Sequence, residues 1–237
     1  MRTKERSVTP FLIIGTIFLI LFAIVAWGVY FESNWVHTFD MNWIKRIQSY
    51  VSDGITPYIK VITDLGNIRF VIPVTIILVL ILFFKKRFAE GLWLGGTILF
   101  CGAISTKVLK KLIDRDRPEF LQLITKTNES FPSGHTIATT IFYGLLGLVL
   151  LLAVRELWKK WVIALITMAW ILFIMVSRIY LGVHYPTDVL AGFLFGAASV
   201  SLSVGVYLIA EEPLRHLLAK WKLQDQSKAL RNREVNE

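Results

Sequence analysis

Residues 132–154 read PSGHTIATTIFYGLLGLVLLLAV, and beyond its first four residues the stretch carries no charge and little else that is polar. A helix rises about 1.5 Å per residue and a bilayer's hydrocarbon is about 30 Å thick, so some 20 apolar residues cross it. His135–Val154 meets that length. Five more runs read the same way: Pro10–Phe31, Ile68–Phe84, Ala89–Leu109, Trp161–Tyr180 and Pro186–Ala210. Ile68–Phe84 is the shortest and calls for tilt or a thinned bilayer. Barrel strands would be shorter and would alternate polar with apolar residues, which these runs do not. The expected fold is all-α: a polytopic membrane protein with six transmembrane helices in one domain, 1–212, followed by a basic tail, 213–237.

Composition agrees. The chain has 237 residues, 55% of them hydrophobic and 18% charged, with a mean hydropathy of +0.59. Soluble domains carry nearer a quarter charged. Cys101 is the single cysteine, so no disulfide forms within the chain. The net charge of +9 sits in clusters between apolar runs, which fits membrane orientation and anionic lipid and argues against nucleic acid. With six spans both termini share a side, and 15 of the 26 lysines and arginines fall there, favouring cytoplasmic termini in a plasma-membrane protein. Arg2, Lys4 and Arg6 precede the first run, which exceeds a signal peptide's apolar core and reads as an uncleaved anchor. Glu32–Asn67 is too polar to span; Trp35, Phe39, Trp43, Ile47 and Tyr50 recur every three or four residues, an amphipathic pattern suited to the membrane surface.

The hydropathy-drawn topology brings three polar motifs to one face. Lys110-x6-Arg117-Pro118 closes the third span, Pro132-Ser133-Gly134-His135 opens the fourth, and Ser177-Arg178-x5-His184-x3-Asp188 joins the fifth to the sixth. Lys110 and Arg117, two turns apart on a continued helix, would join Arg178 as three cations around one anion. Ser133 reads as an N-cap, and Gly134 lets a ligand approach the free N–H groups of a helix start. Asp188 stands four residues after His184, within reach of one imidazole nitrogen, an arrangement that orients the other as a nucleophile. Lys107, Lys111 and Arg115 read as snorkelling side chains, and Asp114 and Asp116 as partners orienting the neighbouring arginines. His37 and His216 lack such company. Gly192-x3-Gly196 gives the sixth span a small-residue face.

At these motifs, all three complete and in order over Lys110–Asp188, the chain resembles the type 2 phosphatidic acid phosphatase superfamily of lipid phosphatases. Within it the likeness is greatest to bacterial branches acting on phosphatidylglycerophosphate and undecaprenyl diphosphate. The resemblance implies catalysis by His184, His135 and Asp188, and substrate binding by Lys110, Arg117, Pro118, Ser133, Gly134 and Arg178. It implies an anionic phospholipid or polyprenyl phosphate as substrate, with the site facing the extracytoplasmic side. No carboxylate–histidine cluster has metal-ligand spacing, so neither metal nor cofactor is expected. A transporter is the reading from another class, but it would place charges at mid-membrane, whereas these lie at span ends.

Overall fold

The structure is a computed structural model that describes residues 7–227. The described residues form nine α-helices: α1 (Thr9–Tyr30), α2 (Asn34–Gln48), α3 (Thr56–Thr63), α4 (Ile68–Phe84), α5 (Phe88–Thr97), α6 (Ser105–Ile113), α7 (Gly134–Ala153), α8 (Leu157–Tyr180) and α9 (Pro186–Lys220). A π-helical turn at Ile98–Ile104 fuses α5 and α6 into one 26-residue rod, Phe88–Ile113. Five helical units are long and apolar enough to cross a membrane. The sixth is a bent pair. At 17 residues α4 is short, and it passes only together with Thr56–Gly66, from which it turns by 45° at Asn67. Asn67 makes the break and caps α4, its side chain accepting from the Arg69 N–H at 3.0 Å.

The apolar side chains divide between a core and an outer belt. Ile13, Ile17, Ile20 and Ile24 on α1, with Leu165 and Ile166 on α8, are at least half exposed, as lipid-facing positions are. The longest helix, α9, is the central post, packed by α1 on one side and α7 on another. Its glycines make this possible. A Cβ at Gly192 would stand 2.9 Å from the Ser133 carbonyl oxygen, and one at Gly196 2.6 Å from Thr140 Cβ, so α7 seats directly on α9 as the small-residue spacing predicts.

Two expectations change. The last helix runs ten residues past Ala210, to Lys220, and the chain then folds back. The backbone N–H of Ala89 donates to Asp225 Oδ1 at 3.2 Å, because the free N–H groups at the start of α5 need acceptors, and the Gln226 N–H donates to the Lys86 carbonyl at 2.7 Å. The basic tail is therefore tied to the start of α5 through Asp225, Gln226 and Ser227; Lys228, Arg231 and Arg233 lie outside the described residues. The segment after α1 is also more than an aromatic stripe. On α2, Val36, Asp40 and Ile44 form a buried face against α8 and α9, while Trp35 and Trp43 stay exposed. A buried carboxylate on that face requires a partner.

Candidate active site

Alternating helix direction brings the end of α6, the start of α7, the end of α8 and the start of α9 to one end of the bundle. The α7 start is built as the Ser133-Gly134-His135 pattern predicts. Ser133 caps the helix, its Oγ accepting from Thr136 Oγ1 at 3.0 Å, and its own N–H donates to the Asp188 carbonyl at 3.0 Å. That bond ties the second motif to the third. Pro186 takes the first turn of α9, and Asp188 at its third position accepts from the Tyr185 N–H at 2.9 Å. Between them, Leu181–Tyr185 is a tight loop that turns at Gly182 with φ +68°. A side chain there would run into the Leu121 backbone.

His184, on this loop, is buried. Its Nδ1 lies 3.4 Å from Asp188 Oδ2 and 3.5 Å from Ser130 Oγ, which itself donates to the same carboxylate oxygen. Burial pushes the His184 imidazole down to about 3, against the raising effect of the Asp188 hydrogen bond and charge, with Arg117 and Arg178 adding to the fall. The ring is thus neutral at physiological pH, with Nδ1 engaged and Nε2 left as the reactive nitrogen. His135 is close enough to feel the charges of Arg178 and Arg117. Its Nε2 is 3.9 Å from Asp64 Oδ1, beyond hydrogen-bond distance, and has no hydrogen-bond partner among the described residues.

The cations converge. Lys110 Nζ and Arg117 Nη2 both donate to the Glu129 carbonyl, Arg117 at 3.2 Å, and Arg117 Nη1 reaches the Val183 carbonyl beside His184. They do not meet along one helix, because α6 ends at Ile113 and Asp114 turns left-handed at φ 48°. The chain doubles back, and Arg117 Nε and Nη2 bond the Asn128 carbonyl and side chain at 2.7 and 3.0 Å. Pro118, next in the chain, is buried. Arg178, at 2% exposure, is held by Thr63 Oγ1 at 3.2 Å, and its Nε has no hydrogen-bond partner among the described residues. Buried donors on Arg178 and His135 are thus left over for an oxyanion.

Arg115 overturns the snorkelling assignment. Its Nη1 donates to Asp188 Oδ1 at 2.7 Å and Thr187 Oγ1 at 2.8 Å, and its Nη2 to Asp40 Oδ2 at 2.7 Å. The reason is the left-handed turn at Asp114, which points the next side chain into the bundle instead of along the membrane surface. Nor do Asp114 and Asp116 orient the arginines: Arg115 takes Asp40 and Asp188, and Arg117 takes loop carbonyls. Asp40, Ser130, Thr63 and Thr187 are site residues that sequence reasoning missed. Among the described residues no group of three His, Cys, Asp or Glu side chains is placed to hold a metal ion.

Together these features define a class: a multi-pass, all-helical membrane protein with a His–Asp pair and three cations gathered at the ends of its spans. The chain belongs to the PAP2 superfamily, whose model matches residues 90–210. It is 36% identical over 136 residues to the Phosphatidylglycerophosphatase B of Bacillus subtilis, covering 57% of this chain and 66% of that protein. It is 32% identical over 140 residues to the Undecaprenyl-diphosphatase of Sulfolobus acidocaldarius, covering 57% of this chain and 62% of that one. The matches thus span just under two thirds of these relatives' length. The crystal structure of a transmembrane PAP2 type phosphatidylglycerolphosphate phosphatase from Bacillus subtilis superposes with a TM-score of 0.71 at 29% identity, covering 81% of this chain and 95% of that one.

Proposed function

We propose that the chain is a plasma-membrane lipid phosphatase that hydrolyses the terminal phosphate of phosphatidylglycerophosphate, giving phosphatidylglycerol and phosphate. The convergence of the His184–Asp188 pair with Lys110, Arg117 and Arg178 carries this reading, and the Bacillus subtilis relatives named for that activity point the same way.

His184 Nε2 attacks phosphorus in line, forming a P–N bond as the P–O bond to the lipid breaks. Asp188 holds the Nδ1 tautomer and stabilises the imidazolium character that develops. His135 gives its proton to the departing oxygen. Neutral again, it takes a proton from water, whose oxygen attacks phosphorus, breaks the P–N bond and releases phosphate. Lys110, Arg117 and Arg178, with Ser133 and the N–H groups near Gly134, hold the non-bridging oxygens while charge redistributes. Five positive or donating groups already surround the anion, so no step calls for a metal. Because the site lies at helix ends, a lipid keeps its chains in the bilayer while presenting its phosphate. The lysine and arginine distribution favours cytoplasmic termini and a site facing the other side. α2 lies along the interface with Trp35 and Trp43 outward.

A second reading, hydrolysis of undecaprenyl diphosphate, is favoured by the relative of that name. Phosphate release by purified protein from a panel of lipid phosphates, with chelator present, tests both. Turnover of phosphatidylglycerophosphate that vanadate inhibits and chelator does not is the expected result. A strict magnesium requirement would overturn the mechanism, and a clear preference for undecaprenyl diphosphate would move the assignment to the second reading.

A further inference from the structure

Arg115 is held by side chains of both α2 and α9. Beside its bonds to Asp188, Thr187 and Asp40, its guanidinium carbon lies 3.9 Å from the centroid of the Tyr185 ring. Both terminal nitrogens of its fork are turned toward α9 and α2, away from the phosphate cradle, so it is not a fourth substrate cation. Asp40 is equally committed. Its Oδ1 accepts from the Thr187 N–H at 2.8 Å and its Oδ2 from Thr187 Oγ1 at 2.8 Å, so a residue of α2 satisfies the first turn of α9 from 147 positions upstream.

The consequence falls on Asp188. One of its oxygens serves the His184 side, accepting from Ser130 Oγ and the Tyr185 N–H and facing His184 Nδ1. Among the described residues, the other is pinned by Arg115 alone. A carboxylate held at both oxygens cannot rotate, and its charge is balanced where no water reaches it.

We propose that Arg115 and Asp40 are positioning residues for the nucleophile: Asp40 on α2 locks Arg115, and Arg115 locks the Asp188 carboxylate that aims His184. This rests on the phosphatase reading and adds to it a link between the surface helix α2 and the reacting nitrogen. Without Arg115, Asp40 and Asp188 would be two buried carboxylates bridged by Thr187, and both would lose the guanidinium in direct contact with them. With Asn at position 40 the shape survives, but Arg115 loses one of the two carboxylates between which it is strung.

The test compares Arg115→Ala, Arg115→Lys, Asp40→Asn and the Asp40→Asn/Arg115→Ala double variant as purified, folded protein. Two substrates are used: phosphatidylglycerophosphate, and p-nitrophenyl phosphate, which needs no lipid recognition. Arg115→Ala is expected to lower kcat by about 10²-fold, the scale of a reacting group displaced by about an ångström, with KM moving less than about threefold. Asp40→Asn should fall in the same direction by less. Arg115→Lys should recover part of the loss, since it restores charge without the fork. The double variant should be no worse than Arg115→Ala, because Asp40 acts through Arg115. A rise in KM at unchanged kcat would overturn the proposal by making Arg115 a substrate ligand. Folded Asp40→Asn and Arg115→Lys with parental kcat would overturn it by making the cluster merely structural, even if Arg115→Ala does not fold. A parent that hydrolyses p-nitrophenyl phosphate but no lipid phosphate would sink the substrate reading alone, while the variant ratios still judge the positioning.

Discussion

His184 Nδ1 stands 3.4 Å from Asp188 Oδ2, and both side chains are out of contact with water. In the proposed mechanism, holding one nitrogen leaves its mate as the attacking atom, and the unmatched Nε2 of His135 on α7 is the proton source for whatever leaves.

A dependence on the leaving group follows. Replacing His135 with alanine should cost about 10²–10⁴-fold on a lipid alkyl phosphate, whose departing alkoxide needs a proton. On p-nitrophenyl phosphate, whose phenolate leaves unprotonated, the loss should be far smaller. Equal losses on both substrates would remove His135 from the role of acid.

The buried neutral state of His184 makes stability depend on pH. An unfolded histidine titrates near 6.5, whereas burial holds the folded ring down to about 3. Between those values the unfolded chain binds a proton that the folded chain excludes, so stability rises with pH across this window and is lost as pH falls through it. His184→Asn removes the proton site. Its melting temperature should drop less steeply than the parent's between pH 6.5 and pH 4, and parallel melting curves would show that the ring is not kept neutral by the fold.

Gly182 is a third point of test. Its φ of +68° disfavours any side chain by about 1–2 kcal/mol, and a Cβ would also strike the Leu121 backbone. Gly182→Ala should lower both the melting temperature and turnover, since the displaced loop carries His184. A variant with parental stability and rate would mean that the loop adapts without moving the histidine.

Much of this was legible before any coordinates. Apolar runs of about 20 residues name spans directly, and motifs at the ends of alternating spans must share a side, which is why Lys110, His135, Arg178 and His184 could be grouped. Arg115 escaped because a basic residue near a helix end usually snorkels, and only the left-handed turn at Asp114 redirects it. A hint was present: it stands two residues from Arg117 in Arg115-Asp116-Arg117-Pro118. Asp40 left a subtler mark, an acid in register with Val36 and Ile44 on one helix face, where an unpartnered charge would be too costly to keep. The brighter tryptophan pattern on the opposite face drew the reading outward. The length of α9 was hidden because hydropathy fades at Glu211 and Glu212 while the backbone continues as helix, with Arg215 answering Glu211 one turn later at 2.8 Å.

All the reacting groups are clustered at one extremity of the helical bundle. On the proposed function such an arrangement would serve a single leaflet: a phosphorylated lipid residing in the other half of the membrane would be out of reach until something carried it across. The rate at which cells finish such lipids would then be set as much by transbilayer traffic as by chemistry.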